Sequence, residues 1–224
     1  MNKNIFVACD VSSQKEILEL ISKIHNEISG IKIGLQYITK QSPADIKELQ
    51  KFNKPIFYDG KFFDIKNTLV ESIRSLEFLN ISYATVHLLN GLESLKAANE
   101  VAFKIGIKLL GVSVLTSFSN EDLRQLGFND EVERQVLRLI KIADEANLYG
   151  VICSPLEIKM IKKIAPNLKC FTPGIRQDED KNDQKRTMNA KQALEAGSDC
   201  LIIGRPITKG DPKKNIQEIL SSLK

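Results

Sequence analysis

Eight short apolar runs divide the 224-residue chain: Ile5 to Cys9, Ile31 to Gly34, Pro55 to Tyr58, Tyr83 to Leu89, Ile107 to Leu115, Val151 to Cys153, Leu168 to Thr172 and Cys200 to Gly204. They are continuously apolar or nearly so, and rich in Ile and Val. Lacking the alternation of a half-solvated strand, they predict strands of a parallel sheet covered on both faces. The segments between them carry a helical period. Ile17, Leu20, Ile21, Ile24 and Ile28 make the stripe of an amphipathic helix, as do Val132, Val136, Leu139, Ile140 and Ala143. Leu69, Ile73 and Leu76 give a shorter third stripe. Ser13 with Glu16, and Ser154-Pro155 with Glu157, have capping-box form. Ser42-Pro43 and Asp211-Pro212 place proline at the first helical position, where its missing N–H costs nothing. Gly30 stands where it can stop the first helix.

Each strand candidate precedes a helical segment, and the first five recur at roughly 24–28 residues, the length of a βα unit. Eight such units predict an α/β chain folded as a (β/α)8 TIM barrel, one domain over residues 1–224. An open doubly wound sheet is the competing arrangement, and the count of eight favours the barrel. No linker, low-complexity segment or solenoid repeat interrupts the pattern.

Composition adds little to this picture. Hydrophobic content of 42% and charged content of 27% suit a soluble globular protein. No apolar run reaches the ~18 residues of a membrane span, and Asp10 ends the first run too soon for a signal peptide. A cytoplasmic location is the expectation. Cys9, Cys153, Cys170 and Cys200 have neither zinc nor redox spacing and read as small buried hydrophobes. His25 and His87 are too few for a histidine-rich metal site. The net charge of +4 mildly favours an anionic partner. Scarce aromatics and the absence of Trp speak against nucleic-acid stacking.

Barrel active sites lie at the C-terminal ends of the strands, so the polar residues there carry the candidate chemistry. Asp10 ends the first strand and Lys32 lies within the second. Asp59-Gly60-Lys61-Phe62-Phe63-Asp64 follows the third, His87 the fourth and Thr116-Ser117 the fifth. Pro173-Gly174-Ile175-Arg176 follows the seventh, and Gly204-Arg205-Pro206 the eighth. A lysine flanked by isoleucines in an interior strand must be paired or shifted in pKa. Alternation aims Asp59 and Lys61 to one side, so Lys32, Asp59, Lys61 and Asp64 can form an alternating array. Such an array is either a structural ion-pair network or a device that stabilises a carbanion and protonates it. Gly204 and Arg205, with Gly174 and Arg176 opposite, suit a phosphate. The polar segment 177–186 is a solvated loop or a lid over that phosphate. His87 reads as a hydrogen-bonded structural histidine, Thr116 and Ser117 as caps of the next helix, and Asp10 as a strand end, unless the site claims them.

Three of these motifs bear a resemblance. Asp59 to Thr68 is similar to the D-x-K-F-x-D-I-x-N-T element of the orotidine 5′-phosphate decarboxylase family in its short bacterial form. Pro173-Gly174-Ile175-Arg176 with Asp183-Gln184-Lys185-Arg186, and Ile203-Gly204-Arg205-Pro206-Ile207, match in the same order. The resemblance covers essentially the whole chain. It implies cofactor-free, metal-free decarboxylation of orotidine 5′-monophosphate to UMP. In that reading Lys61 protonates C6, and Lys32, Asp59 and Asp64 complete the charged array. Asp10 binds the ribose, and Thr116 and Ser117 lie near the pyrimidine. Pro173 borders the substrate, and Arg176, Gln184, Gly204 and Arg205 hold the phosphate. The resemblance also implies a homodimer, with Asp64 and Thr68 serving the neighbouring subunit's site. Gly60, Phe63, Lys66, Asn182 and Ala190 depart from the family's frequent Leu, His, Pro, Asp and Pro. Two alternatives stand beside it. One is a magnesium-dependent sugar-phosphate decarboxylase or aldolase of the same barrel group, such as keto-gulonate phosphate decarboxylase or hexulose phosphate synthase. These share D-x-K-x-x-D but typically carry glutamate near the position of Lys32. The other is a non-catalytic nucleotide-binding barrel, in which the array would have decayed.

Overall fold

The computed structural model describes residues 4–11, 13–176 and 187–223. Its strands are β1 (Ile5–Cys9), β2 (Gly30–Gly34), β3 (Ile56–Phe62), β4 (Tyr83–His87), β5 (Lys108–Val112), β6 (Gly150–Ile152), β7 (Lys169–Thr172) and β8 (Cys200–Ile203). All pair in parallel in sequence order, and β8 returns to β1 to close the barrel. The doubly wound alternative is therefore excluded.

Alternation along the strands divides the core in two. Ile5, Val7 and Cys9 of β1, Ile31 and Ile33 of β2 and Leu201 and Ile203 of β8 pack outward against the helices. Phe6, Ala8, Phe57, Leu110, Phe171, Cys200 and Ile202 point inward and form a separate cluster. The rings of Phe6, Phe57 and Phe171 meet edge to face at centroid distances of 6.0–6.3 Å. This plug fills the lower barrel and makes a dry floor beneath the polar layer. The four cysteines are buried and form no disulfide, as small core residues do.

The helices follow the predicted stripes. Gln14–Ile24 buries Ile17, Leu20, Ile21 and Ile24. Val132–Glu145 buries Val136, Leu139, Ile140 and Ala143. Ile28 and Leu76 are buried just beyond the helices whose stripes they extend. Ser13 caps through the Glu16 N–H at 3.2 Å, and Ser154 with Glu157 forms the full capping box. Ser42 does the same with Asp45, ahead of Pro43.

Gly30 is a correction to the expected helix stop. The first helix ends at Ile24, where the His25 N–H bonds the Ile21 carbonyl, and Gly30 opens β2. A Cβ on Gly30 would fall within the ring of Phe6. The glycine is thus part of how the aromatic plug fits. Gly30→Ala should destabilise the fold by about 1–3 kcal/mol through overpacking. Thermal unfolding of Gly30→Ala and of Gly30→Ala/Phe6→Leu checks this, and the smaller Leu should recover much of the loss.

Candidate active site

Three adjacent strands raise charged groups above the plug. β1 sends Phe6 and Ala8 inward, so Asp10 follows on the same side. Lys32 is opposite Ala8 in the β1–β2 register, and Asp59 opposite Gly34 in the β2–β3 register. Lys32 Nζ lies 3.3 Å from Asp10 Oδ1 and 3.3 Å from Asp59 Oδ2. The other oxygen of Asp59 accepts from Lys61 Nζ at 2.9 Å. The result is an alternating chain, Asp10–Lys32–Asp59–Lys61. Its middle is dry and its ends are wet: side-chain exposure is 9% for Lys32 and 12% for Asp59, against 33% for Lys61 and 58% for Asp10.

Burial alone would push the Lys32 ammonium toward neutrality, but the charges of Asp59 and Asp10 outweigh it and hold its pKa above the ordinary lysine value. Burial likewise opposes ionisation of Asp59. Lys32 and Lys61, with hydrogen bonds from Lys61 and Thr85, outweigh it and hold the carboxyl below the ordinary range. Lys32 and Asp59 are thus both held in their charged forms at neutral pH. Two further residues support it that sequence reasoning did not single out. Thr85 of β4 donates to Asp59 Oδ1 at 3.0 Å and accepts the Lys61 N–H at 2.8 Å. A Cβ on Gly34 would lie 3.1 Å from Lys32 Nζ and 3.3 Å from Asp10 Oδ1, so glycine leaves that ion pair its room. A threonine in a strand rich in β-branched residues signals only strand formation. Its inward register, between Tyr83 and His87, was the one available clue.

The charged chain forms one wall of a cavity of about 570 Å³ at the C-terminal mouth. Thr116 and Leu115 line it beyond β5, and Pro173, Gly174, Arg176, Gly204 and Arg205 line it beyond β7 and β8. Among the described lining residues, Lys32, Lys61, Arg176 and Arg205 stand with two carboxylates, a balance that favours an anionic ligand. The Arg176 N–H donates to the Met188 carbonyl at 3.0 Å and the Met188 N–H to the Gly174 carbonyl at 3.3 Å, an isolated parallel bridge around Ile175. Gln184 and the segment 177–186 lie outside the described residues.

Other candidate residues fall elsewhere. Ser117 is exposed and outside the cavity lining. Neither it nor Thr116 caps the next helix; Ser119 does, in a capping box with Asp122. Asp64 is exposed, and its carboxylate accepts the Ile65 N–H at 2.7 Å at the head of the helix Lys66–Arg74. Thr68 is exposed on that helix. Neither reaches this chain's own cavity. His87 also stays out: its Nδ1 accepts the Leu89 N–H, and its ring lies 5.5 Å from that of Phe63. Burial and then Lys61 lower the His87 pKa. Asn90, also unforeseen, ties the strand exits by donating to the carbonyls of Phe62 and His87 and accepting the Asp64 N–H.

The departures at Gly60 and Lys66 have local reasons. A Cβ on Gly60 would meet the Tyr58 ring at 2.9 Å, because Tyr58 and Phe62 stack across it at 5.8 Å. Lys66 occupies the first helical position, which accepts proline or lysine alike. Among the described residues, no cluster of three or more His, Cys, Asp or Glu could hold a metal ion. The space between Asp10 and Asp59 is taken by the Lys32 ammonium. No described helix is long and apolar enough to cross a membrane.

A closed (β/α)8 barrel with a charged chain at its C-terminal mouth defines a barrel enzyme. The chain belongs to the orotidine 5′-phosphate decarboxylase / HUMPS family, whose model matches residues 3–219. It is 37% identical over 221 residues to the orotidine 5′-phosphate decarboxylase of Wolbachia pipientis subsp. Culex pipiens (strain wPip), covering 98% of each protein. The enzyme of the same name from Ehrlichia canis (strain Jake) is also 37% identical over 221 residues, covering 98% of this chain and 97% of that protein. Among solved structures, orotidine 5′-phosphate decarboxylase from Lactobacillus acidophilus superposes with a TM-score of 0.86 at 32% identity, over 99% of both chains. The family and barrel expected from the motifs are both met.

Asp59→Asn would leave Lys32 with only Asp10 as counter-charge. The loss at neutral pH should be about 3 kcal/mol, typical of breaking a buried pair. The folded pKa of Asp59 lies below its unfolded value of about 3.9. Its contribution is therefore complete above that value and lost as pH falls through the folded pKa. Urea unfolding should show a constant gap between wild type and variant from about pH 5 to 8, narrowing below about pH 4. A gap that held its size down the acid range would contradict the assignment.

Proposed function

We propose that this chain decarboxylates orotidine 5′-monophosphate to UMP and carbon dioxide, the last step of de novo pyrimidine biosynthesis, with no cofactor. The observation that carries the proposal is the Asp10–Lys32–Asp59–Lys61 chain at the wall of a cation-rich cavity, in a member of this family. Arg176, Gly204 and Arg205 receive the phosphate, with Gln184 as a further contact. Asp10 takes the ribose, Pro173 borders the substrate, and Thr116 and Ser117 serve the pyrimidine side. The substrate carboxylate faces Asp59. As the bond from C6 to the carboxylate breaks, its electron pair stays on C6 and carbon dioxide leaves. Lys61 donates a proton to C6, and solvent restores the ammonium. Fixed charges already in place stabilise the developing carbanion without reorganising. Phosphate binding, remote from C6, supplies energy for holding the substrate against the array.

The magnesium-dependent alternative finds no support at the array, where an ammonium bridges the carboxylates a cation would need. The non-catalytic alternative would need decay of the array, yet Lys32, Asp59 and Lys61 remain paired. Cytoplasmic operation is part of the proposal, as suits a reaction on a charged nucleotide.

The active form in this proposal is a homodimer in which Asp64 and Thr68 complete the partner's site. Both residues are exposed and aimed away from their own cavity. Phe63 at 61% and Ile65 at 75% exposure sit beside them, an apolar surface suited to a second copy.

Loss of ultraviolet absorbance from orotidine 5′-monophosphate tests the activity; a folded protein that leaves it unchanged would refute the proposal. Lys61→Ala should lower kcat by at least about 10³-fold with the fold intact. Arg205→Ala should lower kcat/KM by about 10–100-fold, and an unchanged value would remove its phosphate role. Mixing inactive Lys61→Ala with inactive Asp64→Ala should restore roughly a quarter of wild-type activity through hybrid dimers. No recovery in mixtures shown to exchange subunits would place Asp64 in its own chain's site or outside catalysis.

A further inference from the structure

Thr85 lies wholly buried in the middle of β4, at a point where the sheet itself is irregular. Pairing of β3 with β4 runs Phe57 to Tyr83 and Tyr58 to Ala84, then resumes only at Phe62 with Val86. Four steps along β3 therefore oppose two along β4. Within that bulge Lys61 has a φ of 47°, in the left-handed region. A residue with a Cβ keeps such a conformation only when its surroundings hold it there. The Lys61 N–H, turned out of the ladder, is received by the Thr85 hydroxyl at 2.8 Å.

The same hydroxyl donates to Asp59 Oδ1 at 3.0 Å. A threonine hydroxyl has one proton to give and lone pairs to accept. With Lys61 N–H obliged to donate, the hydroxyl proton goes to Asp59, so its orientation has one solution. Asp59 Oδ1 then accepts from both Lys61 Nζ and Thr85, while Oδ2 accepts from Lys32. One buried oxygen atom links the backbone of the lysine to the carboxylate that its own ammonium grips.

We propose that Thr85 is a positioning residue for decarboxylation, its hydroxyl fixing together the Asp59 carboxylate and the backbone turn that presents Lys61 to the reacting carbon. This rests on the assignment of Asp59 and Lys61 made above. Thr85 touches neither substrate nor the transferred proton in this account. Its effect belongs in kcat, because misplacing a reacting group by about 1 Å costs up to ~10²-fold while leaving remote binding intact.

The test compares Thr85→Val, which keeps the shape without the hydroxyl, with Thr85→Ser, which keeps the hydroxyl without the branch. For each, kcat and KM for orotidine 5′-monophosphate are measured, with inhibition by UMP as a readout of binding and circular dichroism as a check on folding. Thr85→Val should lower kcat by about 10–100-fold, with KM and UMP inhibition little changed. Thr85→Ser should stay close to wild type. If Thr85→Val does not fold, Thr85→Cys replaces it, since its weak S–H donor should again give a lower kcat than Ser at unchanged KM. A folded Val (or Cys) variant with wild-type kcat, a Ser variant as slow as Val or Cys, or a loss confined to KM would each overturn the inference. Lys61→Ala separates the two levels. If that variant stays active, the array reading itself fails; if it is inactive while Thr85→Val is normal, only the role of Thr85 falls.

Discussion

The carboxylate of Asp59 holds the charged wall of the cavity together. Lys32 is nearly enclosed, and its other partner, Asp10, is largely in water, so Asp59 supplies most of the low-dielectric compensation for a buried ammonium. Without it the ammoniums of Lys32 and Lys61 would share a pocket with little between them, and like charges repel strongly where water is scarce. Each oxygen of Asp59 is committed: one to Lys32, the other to Lys61 and Thr85. That saturation keeps a buried carboxylate ionised and in one orientation, the condition for electrostatics that need no reorganisation during a reaction.

The rest of the barrel serves this arrangement by division of its interior. The lower half is filled by the rings of Phe6, Phe57 and Phe171, with Tyr83 and Tyr149 packed against them. Gly30 lets Phe6 occupy that space, and Gly34, on the same strand, leaves space around the Lys32–Asp10 pair. Lys32 stands between these glycines, so it is the one bulky inward side chain of β2. The strand is a spacer as much as a source of charge.

The outer face of the mouth tells a complementary story. Asp64, Ile65 and Thr68 follow directly on the array in sequence but turn outward, and Asn90 clamps the chain at the point of departure through Phe62, His87 and Asp64. The bulge at Lys61 marks where β3 leaves the regular ladder. A short stretch thus lies on two surfaces: Asp59 and Lys61 on the cavity of this chain, and residues 63–68 on the exposed outer face.

Much of this was legible in the sequence, for physical reasons that are local. The apolar runs follow from burial on both faces of a parallel sheet, and the helical stripes from burial on one face. Alternation alone put Asp59 and Lys61 on a common side, and Lys32 between isoleucines required a partner. Other features depend on residues distant in the chain. Gly30 read as a helix stop because its neighbour in space, Phe6, is 24 positions earlier. Ser117 followed Thr116 in sequence, but only Thr116 faces the cavity. Thr85 carried no signal beyond strand propensity and an inward register, since its contacts with Asp59 and Lys61 arise from a bulge in another strand. The sequence by itself determined the period, the fold class and the charged residues that the barrel mouth would gather. Tertiary structure alone decided which oxygen meets which nitrogen, because that depends on register, closure and backbone irregularity, set by packing between strands rather than by any one strand's own residues.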